Sequence, residues 1–372
     1  MRYLWSFFCL LTAVAQAQTE VLADEFIYDD ASFPSCHAST IVELRNGDLL
    51  AAWFGGSYEG ATDVGIWTAR KFHGATHWTN PREVATPQGR GACYNPVLFQ
   101  MPDGEVLLFY KIGKFVQDWS GWLVRSHDDG QTWSSPERFP DGFLGPVKNK
   151  PEIVGRIAKN QKKVGKTQHS ILLCPSSTEK DGWKIHFEQF LLDDAGRFPS
   201  TENLASKAMK TAPIDAAQAE KTFEKGTLSP IGCIQPSILR LKDGRLQVLC
   251  RTQNARLATS FSEDGGKSWS EVTLTDLPNN NSGTDAVTLR DGRHVLVYNP
   301  VATPKGENGG KRSPLSVAVS SDRKVWRDIL TLENDDKGEF SYPAVVEGRD
   351  GTIHITYTWR RSRIKHVQIK LR

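Results

Sequence analysis

The sequence is short of cysteine, of metal-ligand spacings, of long apolar runs and of helical periodicity, and each shortage excludes a class of protein. Cysteine occurs six times in 372 residues. Apart from Cys9, which lies in an N-terminal apolar run, five remain: Cys36, Cys93, Cys174, Cys233 and Cys250. That number is odd and too sparse for a disulfide-dependent scaffold, so buried structural thiols are expected, at least one of them unpaired. There is no C-x-x-C spacing, and Cys36 beside His37 is an isolated pair, so neither a metal nor any other cofactor is expected. The net charge of +3 is small and its charges are scattered, which argues against a nucleic-acid partner. The run from Leu4 to Val14 is too short to span a bilayer. With Arg2 before it and Ala-Gln-Ala after it, residues 1–18 have the layout of a secretory signal peptide cut near residue 18. The expected mature chain, 19–372, is then secreted or periplasmic, without membrane insertion.

What is present is a repeat. A short apolar strand, a turn with glycine and a second apolar strand recur at 39–54, 96–111, 236–251, 286–299 and 343–358, joined by Asn-Gly or Asp-Gly. A sixth, looser copy begins at KPEIVGRIAKN, makes a basic excursion over 159–168 and resumes at HSILLCPSS. After the second and fourth hairpins a further strand ends in SHDDGQTW (126–133) and SEDGGKSW (262–269), with degraded copies at 192–198 and 320–326. In such a turn Ser and Asp bond neighbouring backbone groups, Gly takes a positive φ and Trp packs over the top, so the box is a structural staple. Four strands per unit and six units predict a single all-β domain, a six-bladed β-propeller whose innermost strands line a central channel. The one helical stretch expected is a surface insertion at 201–226.

These boxes and this register resemble the sialidase (neuraminidase) superfamily, and in detail the bacterial BNR-repeat sialidase-like proteins, over nearly the whole mature chain. The mouth of the channel is where function is expected. The residues leading the innermost strands are His37, Asn95, Lys150, Gln235, Asp285 and Tyr342, and the returning strands bring Lys111, Arg251 and Asn299 to the same end. The resemblance implies an aspartate acid/base at Asp63 in GGSYEGATDVGIW, a tyrosine nucleophile at Tyr342 in EFSYPAV, and carboxylate-binding arginines at Arg251 and Arg312. Two positions depart from the family pattern: His37 stands where an arginine is expected, and Gln235 where a glutamate is. A phenol needs a base, and Gln235 cannot serve, so the blade order nominates Asp285, with Glu339 in reserve.

The implied function is an exo-acting glycoside hydrolase that releases a terminal acidic sugar, sialic acid by family default, from a glycan. Two alternatives stand beside it. One is a glycosidase or polysaccharide lyase for a uronic acid- or rhamnose-containing glycan, using His37 as acid/base and Lys148 and Lys150 to hold a uronate. The other is a carbohydrate-binding propeller without turnover.

Overall fold

The computed structural model describes residues 19–155, 170–215 and 231–372. The expected signal peptide and the excursion at 159–168 lie outside the described residues. Among those described, the strands form six four-stranded antiparallel sheets. In chain order they begin at Ser35–Glu43, Ala92–Gln100, Glu152–Val154, Cys233–Arg240, Asp285–Thr288 and Phe340–Glu347, the innermost strands of blades 1 to 6. The second strands carry much of the core, and Leu49–Gly56 and Val106–Gly113 are buried at every residue. The hairpin glycines Gly47, Gly104, Gly244, Gly292 and Gly351 all have φ between 80° and 105°, the left-handed position that closes a three-residue hairpin loop, a type I turn followed by a bulged glycine.

The boxes act as the sequence suggests. The Ser126 hydroxyl donates to Asp128 at 2.7 Å while accepting from Gly130 N, and Thr132 donates to Asp128 through both N and Oγ1. Ser262, Asp264, Gly266 and Ser268 repeat this arrangement. The box tryptophan then joins blades: Trp269 stacks on Phe187 of blade 3 at 3.9 Å and 8°. The five described cysteines are free and buried.

Two features were not legible. Thr19–Phe26 supplies the outermost strand of blade 6, antiparallel to Arg363–Leu371, so the ring closes by pairing the two ends of the described chain. The segment read as an insertion contains a helix, Thr201–Lys207, but continues into Ala208–Lys210, the outer strand of blade 3.

At the mouth, four innermost strands break register at one point: between His37 and Thr40, Tyr94 and Val97, Ile234 and Ser237, and Ser341 and Ala344. The residues at the break are Ala38, Asn95, Gln235 and Tyr342, each left-handed with φ from 37° to 56°. A bulge re-aims a side chain and removes carbonyls from the ladder. Here it puts three polar side chains into the mouth and leaves buried carbonyls that need donors.

Candidate functional site

Tyr342 is the centre of the mouth. Its Oη accepts a hydrogen bond from Arg251 Nη1 at 2.7 Å and one from Gln235 Nε2 at 3.3 Å. Arg251 and Arg312 each hold their guanidinium carbon 5.8 Å from the Tyr342 ring centre, and Lys148 Nζ lies at the same distance. Arg251 is fixed by Asn281, to which Nε donates at 3.0 Å, and by Trp183, whose ring it covers at 5.0 Å. Arg312 Nη1 donates to Glu339 at 2.8 Å and to the Ser341 hydroxyl. The sequence-derived pair of arginines therefore does converge on Tyr342 from different blades.

A third arginine is joined to this pair through Glu339, and sequence reasoning missed it. Arg361 occupies the turn between the second and third strands of blade 6, left-handed at φ 58°. Its Nε shares Glu339 with Arg312 at 2.7 Å, and its Nη1 donates to Glu59 at 2.5 Å. Burial raises Glu339, but the two guanidinium charges outweigh it and hold the carboxyl below its usual range. Glu339 is thus an ionised organiser of cations, not a free base.

His37 is a correction. It is 1% exposed, its ring packs 4.1 Å from that of Tyr342, and its Nδ1 is 2.9 Å from Thr358 Oγ1. Burial first, then the charges of Arg361, Arg312, Arg251 and Lys148, push its pKa well below 6.5. A neutral, enclosed imidazole neither clamps a carboxylate nor donates a proton at neutral pH; it supports the tyrosine ring. Its Nε2 has no partner among the described residues.

Four other expected residues are committed elsewhere. Asp285 sits two residues deeper than the bulge line, at the level of Ser237. It accepts from Lys150 Nζ at 2.8 Å, from Val345 N at 2.9 Å and from the Ser237 hydroxyl, with Tyr342 not among its partners. Lys150 is that ion-pair partner and lines a 340 Å³ cavity with Ile41, Leu98 and Val346 that reaches the hairpin-end residues Arg45, Met101 and Arg349, away from the mouth. Lys111 is fully buried and donates to the carbonyls of Asn95 and Pro146; desolvation brings it down to about 7. Asn299 donates to the carbonyls of Pro314 and Phe340, joining blades 5 and 6. These residues build the funnel wall and floor. Lys148 is likewise no free uronate ligand, because Asn149, Thr284 and Pro343 occupy its ammonium. Of the remaining strand-leading residues, Gln235 reaches the tyrosine, and Asn95 is buried on the bulge line.

Asp63 is on the loop that follows the second strand of blade 1. Its carboxylate accepts from the Ser57 hydroxyl at 2.5 Å and from Ser57 N, and the hydroxyl bond is the main cause that lowers its pKa. The same loop carries Glu59, so its ion pair to Arg361 fastens the loop across the seam between blades 1 and 6. Beyond Gln235, whose N donates to Ser177, lies a 210 Å³ cavity lined by Trp119, Leu144, Val147, Ser177, Glu179 and His186. Burial raises the Glu179 carboxyl. His73 and His77 have the H-x-x-x-H spacing but are exposed, and no group of three metal-ligating side chains occurs among the described residues.

The arrangement is a concave, cation-rich funnel around one phenol, at one end of a six-bladed ring. Solved structures share the ring. A protein of unknown function from Dyadobacter fermentans superposes with TM-score 0.67 at 15% identity, over 95% of this chain and 99% of that one. The intramolecular trans-sialidase of Ruminococcus gnavus, in complex with oseltamivir carboxylate, gives 0.63 at 13%, over 93% and 97%. The α-L-arabinanase of Penicillium chrysogenum, complexed with arabinobiose, gives 0.59 at 16%, over 94% and 98%. At these identities the likeness is one of fold. No curated protein matches the chain in sequence. A family model described as a BNR repeat-like domain matches residues 47–355, from the first hairpin glycine to the last blade. With most of its length inside that match and its boxes formed as the repeat requires, the chain belongs to the BNR repeat-like family.

Proposed function

We propose that the protein is a glycoside hydrolase that removes a terminal acidic sugar from a glycan, with Tyr342 as nucleophile and Asp63 as acid/base. One observation carries the reading: the guanidiniums of Arg251 and Arg312 converge on a single phenol in the mouth, and Arg361 is joined to them through the carboxylate it shares with Arg312. Planar forks of this kind match a carboxylate bidentately. They favour a sugar whose carboxylate lies next to the anomeric carbon, such as sialic acid, because the nucleophile and the clamp are then adjacent. A phenol suits such a substrate, since a carboxylate nucleophile would be repelled by the sugar's own charge. Tyr342 gives up its phenolic proton to solvent as its oxygen attacks the anomeric carbon and the glycosidic bond breaks; water then cleaves the glycosyl–tyrosine bond, releasing the sugar and returning a proton to the phenol. Asp63 protonates the leaving oxygen, after release from Ser57. Export under the N-terminal segment would place this activity outside the cytoplasm.

A binding propeller without turnover is the second reading, favoured by Gln235, which cannot take a proton from Tyr342. Incubation with a 2,3-difluoro acidic sugar and intact-protein mass spectrometry separates the two. The expected result is a covalent adduct absent from Tyr342→Phe, together with an Asp63→Ala variant that is slowed far more on natural glycans than on aryl glycosides. Retention of acidic glycans with neither adduct nor released sugar would establish the binding module.

A further inference from the structure

The register breaks at the mouth release backbone carbonyls, and two adjacent side chains from one segment collect them. Lys148 Nζ donates to the carbonyl of Pro343 at 2.6 Å, to that of Thr284 at 3.0 Å and to Asn149 Oδ1 at 2.8 Å. Asn149 Nδ2 donates to the Gln235 carbonyl at 2.9 Å and to the Ser237 hydroxyl at 2.8 Å. Lys148 and Asn149 are 5% and 2% exposed. They enter from the approach to blade 3 and tie together the mouth ends of blades 4, 5 and 6. Space is reserved for this strut: a Cβ on Gly283 would stand 3.0 Å from both Lys148 Cε and Gln235 Oε1.

We propose that Lys148 is a positioning residue for Tyr342, holding the carbonyl of the next residue, Pro343, so that the tyrosine keeps its left-handed backbone and its place among the arginines. This rests on Tyr342 being the reacting group. A tyrosine at φ 54° is strained and persists only when its surroundings over-determine it. The hydrogen bond to Pro343 acts one peptide beyond that torsion, and the ammonium also lies 5.8 Å from the ring centre. Three acceptors match the three N–H groups of an ammonium, so the strut is complete only when Lys148 is charged.

That requirement makes the position sensitive to pH. Burial pulls Lys148 down to about 7; Asp285 of blade 5 opposes the shift, and Lys150 and Arg251 add to it. The other groups facing it are Tyr342 of blade 6 and the neutral His37 of blade 1. As pH rises through that value one N–H is lost, and one of the three carbonyl-type acceptors loses its donor.

The test uses the full chain labelled with 13Cζ-tyrosine, the Tyr342 resonance being the one lost in Tyr342→Phe. In the parent that resonance is expected to move as pH crosses about 7, and in the near-isosteric Lys148→Met to stay flat from pH ~6 to ~9. With an acidic glycoside as substrate, Lys148→Met should lower kcat about tenfold at pH ~6 with KM within about twofold, and Lys148→Arg, whose charge persists, should lose the alkaline limb of the parent profile. Thermal melts confirm that each variant is folded; if Lys148→Met is not, Lys148→Arg carries the test. A Tyr342 resonance that is identical in parent and folded variant at every pH overturns the proposal. So does an unchanged kcat. If the parent cleaves no acidic glycoside, the hydrolase reading fails while the resonance still decides the role of Lys148.

Discussion

Glu25 gives the sharpest test of how the ring is held. It lies on the N-terminal closing strand, where one carboxylate oxygen accepts from Lys71 at 2.6 Å and from the Trp78 indole at 3.1 Å and lies 2.9 Å from His366 Nδ1. His366 Nε2 is in turn 3.1 Å from His354 Nδ1. Burial pushes the Glu25 carboxyl up, but the bonds from His366 and Lys71 outweigh it and bring it from 4.5 to about 2. For a fully enclosed group that drop corresponds to about 3.4 kcal/mol. With the side chain 23% exposed, solvent screening leaves about 1.5–2 kcal/mol. Because the native carboxyl binds its proton less readily than the unfolded one, this contribution is complete above 4.5 and is lost as pH falls toward 2. His354, taken by burial from 6.5 to about 4, adds a loss that starts lower than 6.5 and ends near 4. Glu25→Gln should therefore melt about 2–3 °C below the parent at neutral pH, for a domain of this size. Scanning calorimetry at several pH values should show the gap narrowing in acid, as the parent loses what the variant never had. Equal melting temperatures at neutral pH, or a variant with the full acid slope of the parent below 4.5, would refute the reasoning.

Two predictions concern the mouth. Arg251→Ala, Arg312→Ala and Arg361→Ala should each weaken binding of an acidic monosaccharide by about 1.5–3 kcal/mol in titration calorimetry, and the neutral analogue should be indifferent to all three. Gln235→Glu places a carboxylate beside both Arg251 and Tyr342 Oη and should raise turnover of an acidic glycoside, because a proton acceptor then faces the phenol.

The blades were legible because they repeat local devices: an apolar pair of strands, a glycine with positive φ and, in full in the second and fourth blades, a Ser-Asp-Gly-Trp staple. The site was legible only in part. Arg251, Gln235 and Tyr342 were found because they occupy repeated positions in the blades, whereas Arg312, on a loop, came only from the family resemblance. Asp285 and Lys150 were misplaced because the reading began at the apparent strand start. Counting back nine from the hairpin glycines instead yields Ala38, Asn95, Gln235, Gly283 and Tyr342, the line that the bulges follow. Lys111 and Asn299 stand at the right end of their strands, but backbone carbonyls of neighbouring segments consume their donors, which no pattern of residue types announces. Arg361 has no counterpart in other blades, since it belongs to a single turn, and periodicity is blind to it. The closing strand escaped for a similar reason: TEVLADEF lacks a partner nearby in sequence.

The pairing of Thr19–Phe26 with Arg363–Leu371 also orders events in time. Contacts that span over 300 residues, such as His37 to Thr358 and Glu59 to Arg361, carry the largest loop-closure cost and form late. A chain emerging from its N-terminus can finish blades 1 to 5 alone, yet it must keep its first strand unpaired until the last one arrives. The mouth draws on both ends of the chain, so an incomplete molecule has no funnel to offer. On the proposed function, ligand capture would thereby be a readout of ring closure, and a fragment that stops before Tyr342 would be silent.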